Sequence, residues 1–447
     1  LCLLAHIVKE YARMATTPAS TRFDRRSFAR LFAVGGSAAL FGSASLAEAL
    51  DAFRPAPLAP APAAPDDAFW ANVRKQFLMP PELSVLNAAN LCPSPASVLK
   101  VVYENTQRLD RAPVQSFRAE MHEAREPVRR QLAAYLRVTP EEIIITRNTS
   151  EANNMVSNGL NFKPDDEVLL FEDNHPSNNL AWQEKAKRFG YKVITVPQLN
   201  PHPGPEYYLK AFRAGITANT KVLAFTHLTS TVGDLFPAKE LCALARERGV
   251  MTLIDGAQTF GLLDVDLGDI KPDFYTGSAH KWPCGPKEVG VLYVNARAQA
   301  KIWPTIYSAY PGQTGLSKTF EGMGQRDEPA IRAFGEALTF LTTIGQKQIE
   351  AYSRELGRAL IEGLSKVEGV KMWTSRDATR SAAVVSFQPG TLDPAAVTAA
   401  LERDGIVCAP RPGQDRPGIR LAPHFYNSHA DVDRAVATIA KYVRSGV

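Results

Sequence analysis

The sequence predicts an α/β protein: a large domain on a mostly parallel sheet covered by helices on both faces, plus a smaller α+β domain. Three observations carry this reading. Between about residues 130 and 295, short apolar runs alternate with helical patterns. Beyond that the alternation stops, and a long helical stretch leads into a mixture of strands and helices. The chain has 447 residues, 45% hydrophobic and 22% charged. That composition excludes a disordered chain or a coiled coil, and the length suffices for about two or three domains.

Taken in order, the first 49 residues read as an address rather than as part of the body. Met14 is the expected initiator. From it runs TRFDRRSFARLFAVGGSAALFGSASLAEAL, with adjacent Arg25 and Arg26, a stretch rich in Gly, Ala and Ser, and small residues at Ala47 and Ala49 suited to cleavage. The pattern resembles a bacterial twin-arginine signal with DRRSFAR as its recognition element. It implies passage through the twin-arginine export machinery, a soluble periplasmic or extracellular product, and a cofactor loaded before export. The apolar part, Leu31 to Ala47, carries three glycines and falls short of the roughly 20 residues of a membrane span, so cleavage is expected rather than anchoring. An Ala/Pro-rich linker follows over 50–66.

Lysine and arginine total 51 against 46 acids, a net charge of +5, and six of the basic and three of the acidic side chains fall within the first 49 residues. The body is therefore close to neutral, with no basic run after position 30, which argues against nucleic acid as a partner. Cys92, Cys242, Cys284 and Cys408 lack the spacing of a disulfide scaffold. With no CxxC pair, a zinc cage is not indicated.

Within the body, residues 67–125 form an N-terminal segment expected to join the smaller domain, 126–327 the large domain and 328–447 the smaller domain. Strands of the large domain are read at EIIIT (142–146), EVLLF (167–171), KVITV (192–196), KVLAF (221–225), VMTLI (250–254) and VGVLYV (289–294). Helical segments such as PAKELCALARERG from Pro237 lie between most of them. The smaller domain reads as a helical stretch from Glu328 to Val367, AAVVSFQ (382–388), a helix from Pro394 to Asp404, IVCAP (406–410), GIRLAP (418–423) and a last helix after Ser428. No internal repeat is evident.

Candidate chemistry falls where strands end, the place where open α/β sheets bind ligands. VMTLI runs straight into Asp255, and Lys281 follows 26 residues later in SAHKW. A carboxylate at a strand end and a lysine in a polar turn suit pyridoxal phosphate, the lysine forming a Schiff base and the aspartate holding the pyridine nitrogen protonated. Singly, each is equally a helix cap or a surface lysine. ITRNTSEANN places Thr149 and Ser150 at a helix opening, a natural seat for a phosphate dianion that an ordinary N-cap also explains. Ser278 and His280, beside the lysine, can close that seat. His175 in DNHPSNNLAW is placed to stack on a cofactor face, Gln258 to donate to its phenolate oxygen, and Arg420 in GIRLAP to grip a substrate carboxylate. Each also has a plainer structural reading as a satisfied histidine, an amide or a salt-bridged arginine.

Together these motifs resemble the class V aminotransferase superfamily of fold-type I pyridoxal phosphate enzymes. The match is ordered along the body through VLNAANLCPSP (85–95), TRNTSEANN (146–154), DNHPSNNLAW (173–182), THLTSTVG (226–233), IDGAQTFG (254–261), TGSAHKWPCGP (276–286) and IRLAPHFYNS (419–428). The resemblance implies a seven-stranded, mostly parallel sheet in the large domain. It makes Lys281 the Schiff-base lysine and proton shuttle, Asp255 the ring-nitrogen partner and Gln258 the neighbour of the phenolate oxygen. His175 stacks over the ring, and Ser230 lies near it. Ser150, Ser278 and His280 hold the phosphate, with Thr149 contributing through its backbone. Arg420 takes the α-carboxylate, and a homodimer completes the site.

Two departures bear on the reaction. EGMGQRDEPA offers Gln325 where the family often has a threonine that reaches the partner's phosphate, and the loop 411–418 has no cysteine to accept sulfur, Cys408 being read on the preceding strand. A persulfide-relay desulfurase is therefore disfavoured. The resemblance is nearest to the isopenicillin N epimerase-like branch, and it implies an exported enzyme acting at the α-carbon of an amino acid or small peptide, by epimerisation or transamination. Epimerisation needs an acid besides Lys281, for which His175 or a substrate-loop group is available. The alternatives are a carbon–sulfur lyase without a relay cysteine, and a cofactor-free binding protein that keeps the fold.

Overall fold

Residues 143–294 supply seven strands, six of them almost continuously buried and the edge strand 192–196 largely exposed, the pattern of a sheet covered on both faces. The computed structural model describes residues 53, 55–200, 203–411 and 415–447, so the segment read as an export signal and the start of the stretch read as a linker lie outside the described residues. The chain enters through α1 (Asp67–Arg74), β1 (Ser84–Val85), α2 (Ala96–Arg111), α3 (Gln115–Glu123) and α4 (Arg125–Leu136). The alternation then runs β2 (Ile143–Thr146), α5 (Thr149–Gly159), β3 (Glu167–Phe171), α6 (Pro176–Phe189), β4 (Lys192–Val196), α7 (Pro205–Gly215) and β5 (Thr220–Thr226). It continues through α8 (Ala238–Glu247), β6 (Met251–Asp255), α9 (Leu267–Ile270), β7 (Phe274–Ser278) and β8 (Gly290–Val294). The remainder is α10 (Ser317–Phe320), α11 (Glu328–Ile344), α12 (Gln346–Ser365), β9 (Val370–Met372), β10 (Val385–Pro389), α13 (Pro394–Arg403), β11 (Ile406–Val407), β12 (Ala409–Arg411), β13 (Gly418–Leu421) and α14 (His429–Ser445).

The large sheet has the order β2-β8-β7-β6-β5-β3-β4. Strands β3 to β7 are mutually parallel, and β8 runs antiparallel between β7 and β2. Because successive side chains point to opposite faces, Leu169 joins Leu223, Ile254 and Val291 in one core, while Val168 and Leu170 join Val222, Leu253 and Leu292 in the other. This is the expected α/β class with a seven-stranded, mostly parallel sheet. The second, four-stranded sheet is antiparallel in the order β12-β13-β10-β9. The N-terminal segment is stitched to it and its helices: β1 pairs in parallel with β11, Asn87 bridges to Ala422, and Trp70 stacks on Tyr352 at 4.1 Å.

Three local readings change. The seventh strand, FYTGS, is a buried strand despite its small polar residues. It packs so tightly that a Cβ on Gly277 would lie 2.8 Å from the Phe260 ring. The single helical stretch 328–367 breaks at Gly345, whose φ of +92° cannot continue a helix. IVCAP is two strands in different sheets, with Cys408 buried at the break between them.

Gly256, directly after β6, donates its N–H to Thr276 at 2.9 Å, and a Cβ there would lie 2.1 Å from the Tyr275 ring. Gly256→Ala is therefore expected to cost about 1–3 kcal/mol or more by overpacking. A lower midpoint in chemical denaturation is the check.

Candidate functional site

Strand β2 is antiparallel to β8, which is antiparallel to β7, so β2, β3, β5, β6 and β7 all end on one edge of the sheet. Those five ends carry Thr149 and Ser150, His175, Ser230, Asp255 and Gln258, and Ser278 to Lys281. Residues far apart in the chain converge because parallel strands share their carboxyl edge.

The anion seat forms where β2 meets α5. Asn148 caps the helix, its side chain accepting from the Glu151 N–H at 3.0 Å. The Thr149 N–H donates to Ser278 Oγ at 2.9 Å, and the two hydroxyls lie 2.8 Å apart. This ties the helix N-terminus to the end of β7. Ser150 is exposed at the second helical position, where its N–H is an orphan donor of the first turn. Burial, followed by the charges of Lys281 and Lys287, pushes His280 down to about 4, so its imidazole is neutral at pH 7. Thr149, Ser150 and Ser278 therefore share one corner, at a helix end that favours negative charge, and His280 follows two residues after Ser278.

Asp255 is 1% exposed. Its carboxylate accepts from Asn153 Nδ2 and from the Ala257 N–H, each at 3.1 Å. Asn153 is in turn fixed by the Thr276 hydroxyl, 3.0 Å from its Oδ1. The sequence reading missed Asn153; its signal was an amide one turn after Thr149 in an otherwise ordinary helix. Lys281 keeps partial solvent access. Burial of its amine lowers the pKa to about 8, with Asp255 opposing the shift and Arg420 and Cys92 acting in opposite senses. The backbone around it is pinned twice: the Cys92 N–H donates to the His280 carbonyl and the Cys284 N–H to the Lys281 carbonyl, both at 2.9 Å.

Gln258 does more than the sequence indicated. Its Oε1 accepts from Trp282 Nε1 at 2.8 Å and its Nε2 donates to the Ala89 carbonyl at 2.9 Å, so it braces the residue after Lys281. One N–H of that amide is left for a ligand. His175 caps α6: its Nδ1 accepts from the Ser177 N–H at 3.2 Å, which places the ring proton on Nε2. Desolvation, then Lys281, lowers its pKa, with Asp255 opposing and Arg411 and Arg420 reinforcing. The imidazole is thus within electrostatic reach of both the lysine and the arginine.

Arg420, on β13, is 5% exposed. Its guanidinium donates to the Ser230 carbonyl at 2.9 Å and to Asn87 Oδ1 at 3.3 Å, while Nε has no partner. No carboxylate pairs with it among the described residues. Burial and Arg411 together pull its pKa down to about 9. A buried cation without a counter-charge is costly, and a ligand carboxylate relieves that cost. Ser230 meets the site through its carbonyl, which orients Arg420.

A site with a desolvated lysine, a buried carboxylate and an anion seat on one sheet edge defines an enzyme built around an aldehyde cofactor bearing a phosphate. Residues 88–434 match the sequence model of the class V aminotransferases. The chain belongs to that family, whose members are pyridoxal phosphate-dependent enzymes. It is 30% identical over 390 residues to isopenicillin N epimerase of Amycolatopsis lactamdurans, covering 82% of this chain and 96% of that protein. It is 25% identical to a probable cysteine desulfurase of Methanothermobacter thermautotrophicus, covering 84% and 98%. Among solved structures, a mutant of C-DES with glycine covalently linked to its PLP cofactor superposes with a TM-score of 0.77 at 23% identity, over 84% of this chain and 99% of that one.

The residues present fit pyridoxal phosphate. Thr149, Ser150, Ser278 and His280 supply a phosphate corner, Asp255 a buried carboxylate for the ring nitrogen and Lys281 an amine of lowered pKa for the aldehyde.

Proposed function

We propose that the protein is an exported pyridoxal phosphate enzyme that acts at the α-carbon of an amino acid or small peptide, as an epimerase or aminotransferase. The cofactor, when bound, supplies an electron sink for the α-carbon. The observation that carries the substrate class is Arg420: a buried guanidinium with no carboxylate partner among the described residues, within electrostatic reach of Lys281, supports an amino-acid α-carboxylate as its partner. Lys281 takes the α-proton and returns it, and Asp255 neutralises the protonated ring nitrogen. His175, with its proton on Nε2, would be the acid that epimerisation needs besides Lys281. Export rests on the DRRSFAR segment, and the periplasmic or extracellular location follows from it. A homodimer rests on the family resemblance.

The second reading, a carbon–sulfur lyase, is supported by the similarity to a cysteine desulfurase. Burial pushes the Cys408 thiol up to about 12, which makes it a poor sulfur acceptor and speaks against a persulfide relay.

The test is product analysis with holoenzyme and a panel of D- and L-amino acids, small peptides and cysteine derivatives. Inverted configuration or a keto acid supports the first reading; sulfide with pyruvate replaces it by the second. Arg420→Gln is expected to weaken amino-acid binding about 10- to 100-fold, the value of a charge-assisted hydrogen bond, read as an apparent Kd by spectral titration. Amines without a carboxylate should bind both forms alike.

A further inference from the structure

The loop that carries Lys281 is held from the second sheet as well as from its own. His424 stands just past the end of β13, the strand of Arg420, and it is fully buried, as are Trp282 and Ser353. Its Nε2 lies 2.7 Å from the Trp282 carbonyl oxygen, and its Nδ1 lies 3.1 Å from the hydroxyl of Ser353 on α12. A carbonyl only accepts, so Nε2 carries the proton and Nδ1 accepts from Ser353. Burial pushes the imidazole down to about 3, with the Trp282 carbonyl opposing the shift, so the ring keeps this neutral, donating form at pH 7.

The turn around His424 is itself anchored. The His424 N–H donates to Asn427 Oδ1 at 3.0 Å, and the Tyr352 hydroxyl donates to the Asn427 carbonyl at 3.1 Å. The Ala422 N–H donates to the Leu86 carbonyl at 2.7 Å, and the Ala88 N–H to the Ala422 carbonyl at 3.0 Å. The turn is thus fixed to α12 and to the N-terminal segment, and His424 extends that hold to the lysine loop. Its ring also meets the Trp282 indole edge to face, centroids 4.9 Å apart. From Trp282 the path continues to Gln258, whose Oε1 accepts the indole N–H at 2.8 Å. One buried path therefore runs from the strand of Arg420 to the residue after Lys281 and on to the end of β6.

We propose that His424 is a positioning residue: by holding the Trp282 carbonyl it fixes the loop of Lys281 against the strand of Arg420, and so sets where the amine stands relative to a carboxylate bound there. This rests on the reading of Lys281 and Arg420 given above. His424 acts through the backbone of the loop rather than on the reacting atoms. A base displaced by about 1 Å loses on the order of 10²-fold in rate, whereas Arg420 keeps its own supports at Ser230 and Asn87. Losing His424 should therefore separate chemistry from carboxylate binding.

The experiment compares wild type with His424→Phe, which fills the space but cannot donate, His424→Gln, which keeps an N–H donor, and Ser353→Ala, which removes only the hydroxyl behind the ring. In holoenzyme, exchange of the norvaline α-proton with deuterium is followed beside calorimetric titration of unreactive pentanoate. His424→Phe is expected to exchange about 10- to 100-fold more slowly while its pentanoate affinity stays within about threefold of wild type; His424→Gln recovers most of the rate, and Ser353→Ala shows a smaller loss of the same kind. In apo protein, the pH profile of pyridoxal phosphate capture reports on the amine without turnover. A slipped loop lets water reach Lys281, so the profile should level off above about pH 8 in His424→Phe and return towards wild type in His424→Gln. Because capture needs no substrate, this arm decides the proposal whichever amino acid the enzyme takes. A lowered denaturation midpoint with a wild-type capture profile would assign His424 to stability alone and overturn the proposal, as would pentanoate affinity lost in step with the exchange rate. If His424→Phe does not fold, a wild-type rate and profile in Ser353→Ala overturns it equally. Capture that survives Lys281→Ala would sink the lysine reading and the proposal with it, whereas lysine-dependent capture with an unmoved profile in His424→Phe sinks the proposal alone.

Discussion

Lys281→Ala is expected to abolish the visible absorbance of lysine-bound cofactor and to slow α-proton exchange at least about 10³-fold, because one side chain supplies both the covalent link and the acid–base group. The amine is prepared for both roles by its surroundings: burial holds its pKa near 8. Only the neutral amine attacks an aldehyde, so capture of free pyridoxal phosphate by apo wild type should fall about tenfold per pH unit below 8 and level off above it. The backbone of the loop is held by Cys92 and Cys284 rather than by the lysine side chain, so Lys281→Ala should fold normally. Its circular dichroism and denaturation midpoint serve as the control. Partial rescue of proton exchange by added methylamine would show that a missing base, not a distorted site, is the defect. An unchanged absorbance band in the variant would overturn the assignment.

What the sequence could reveal was local. Asp255 was legible because an apolar strand runs directly into it, and Thr149 and Ser150 because a strand is followed at once by a helix opening. Lys281 was legible in a polar turn, although the strand before it was not, since its small residues are dictated by Phe260 packing across Gly277. Features that depend on contacts between distant segments were not legible. The brace from Gln258 to Trp282 and Ala89 needs β6, the lysine loop and the N-terminal segment in one place. The pairing of Asp173 with Arg416 joins residues 243 positions apart. The break at Gly345 hid inside a helical periodicity that resumes one residue later.

Asp255→Asn is expected to slow turnover about 10²–10³-fold, the scale of losing one preorganised electrostatic contact, because a neutral amide cannot stabilise a protonated ring nitrogen. The side chain keeps its shape, but both of its oxygens now accept hydrogen bonds, from Asn153 and Ala257. The new NH2 group must face one of these donors, so the variant should also lose about 1–3 kcal/mol of stability. The effect on Lys281 has the opposite sign. Asp255 raises the lysine pKa against the lowering effect of burial, so removing its charge disfavours the ammonium and moves the amine pKa further down. Apo Asp255→Asn should therefore capture pyridoxal phosphate faster than wild type at pH 7, and its capture profile should level off below pH 8. Faster loading combined with slower turnover separates the charge from mere damage, since a misfolded site would lose both. Turnover equal to wild type would remove Asp255 from the ring nitrogen, and an unmoved capture profile would remove it from the field of Lys281. Asn153→Ala, which takes away one hydrogen bond but leaves the carboxylate, should shift the lysine profile the other way: Asp255 freed from that donor concentrates its charge on the ammonium.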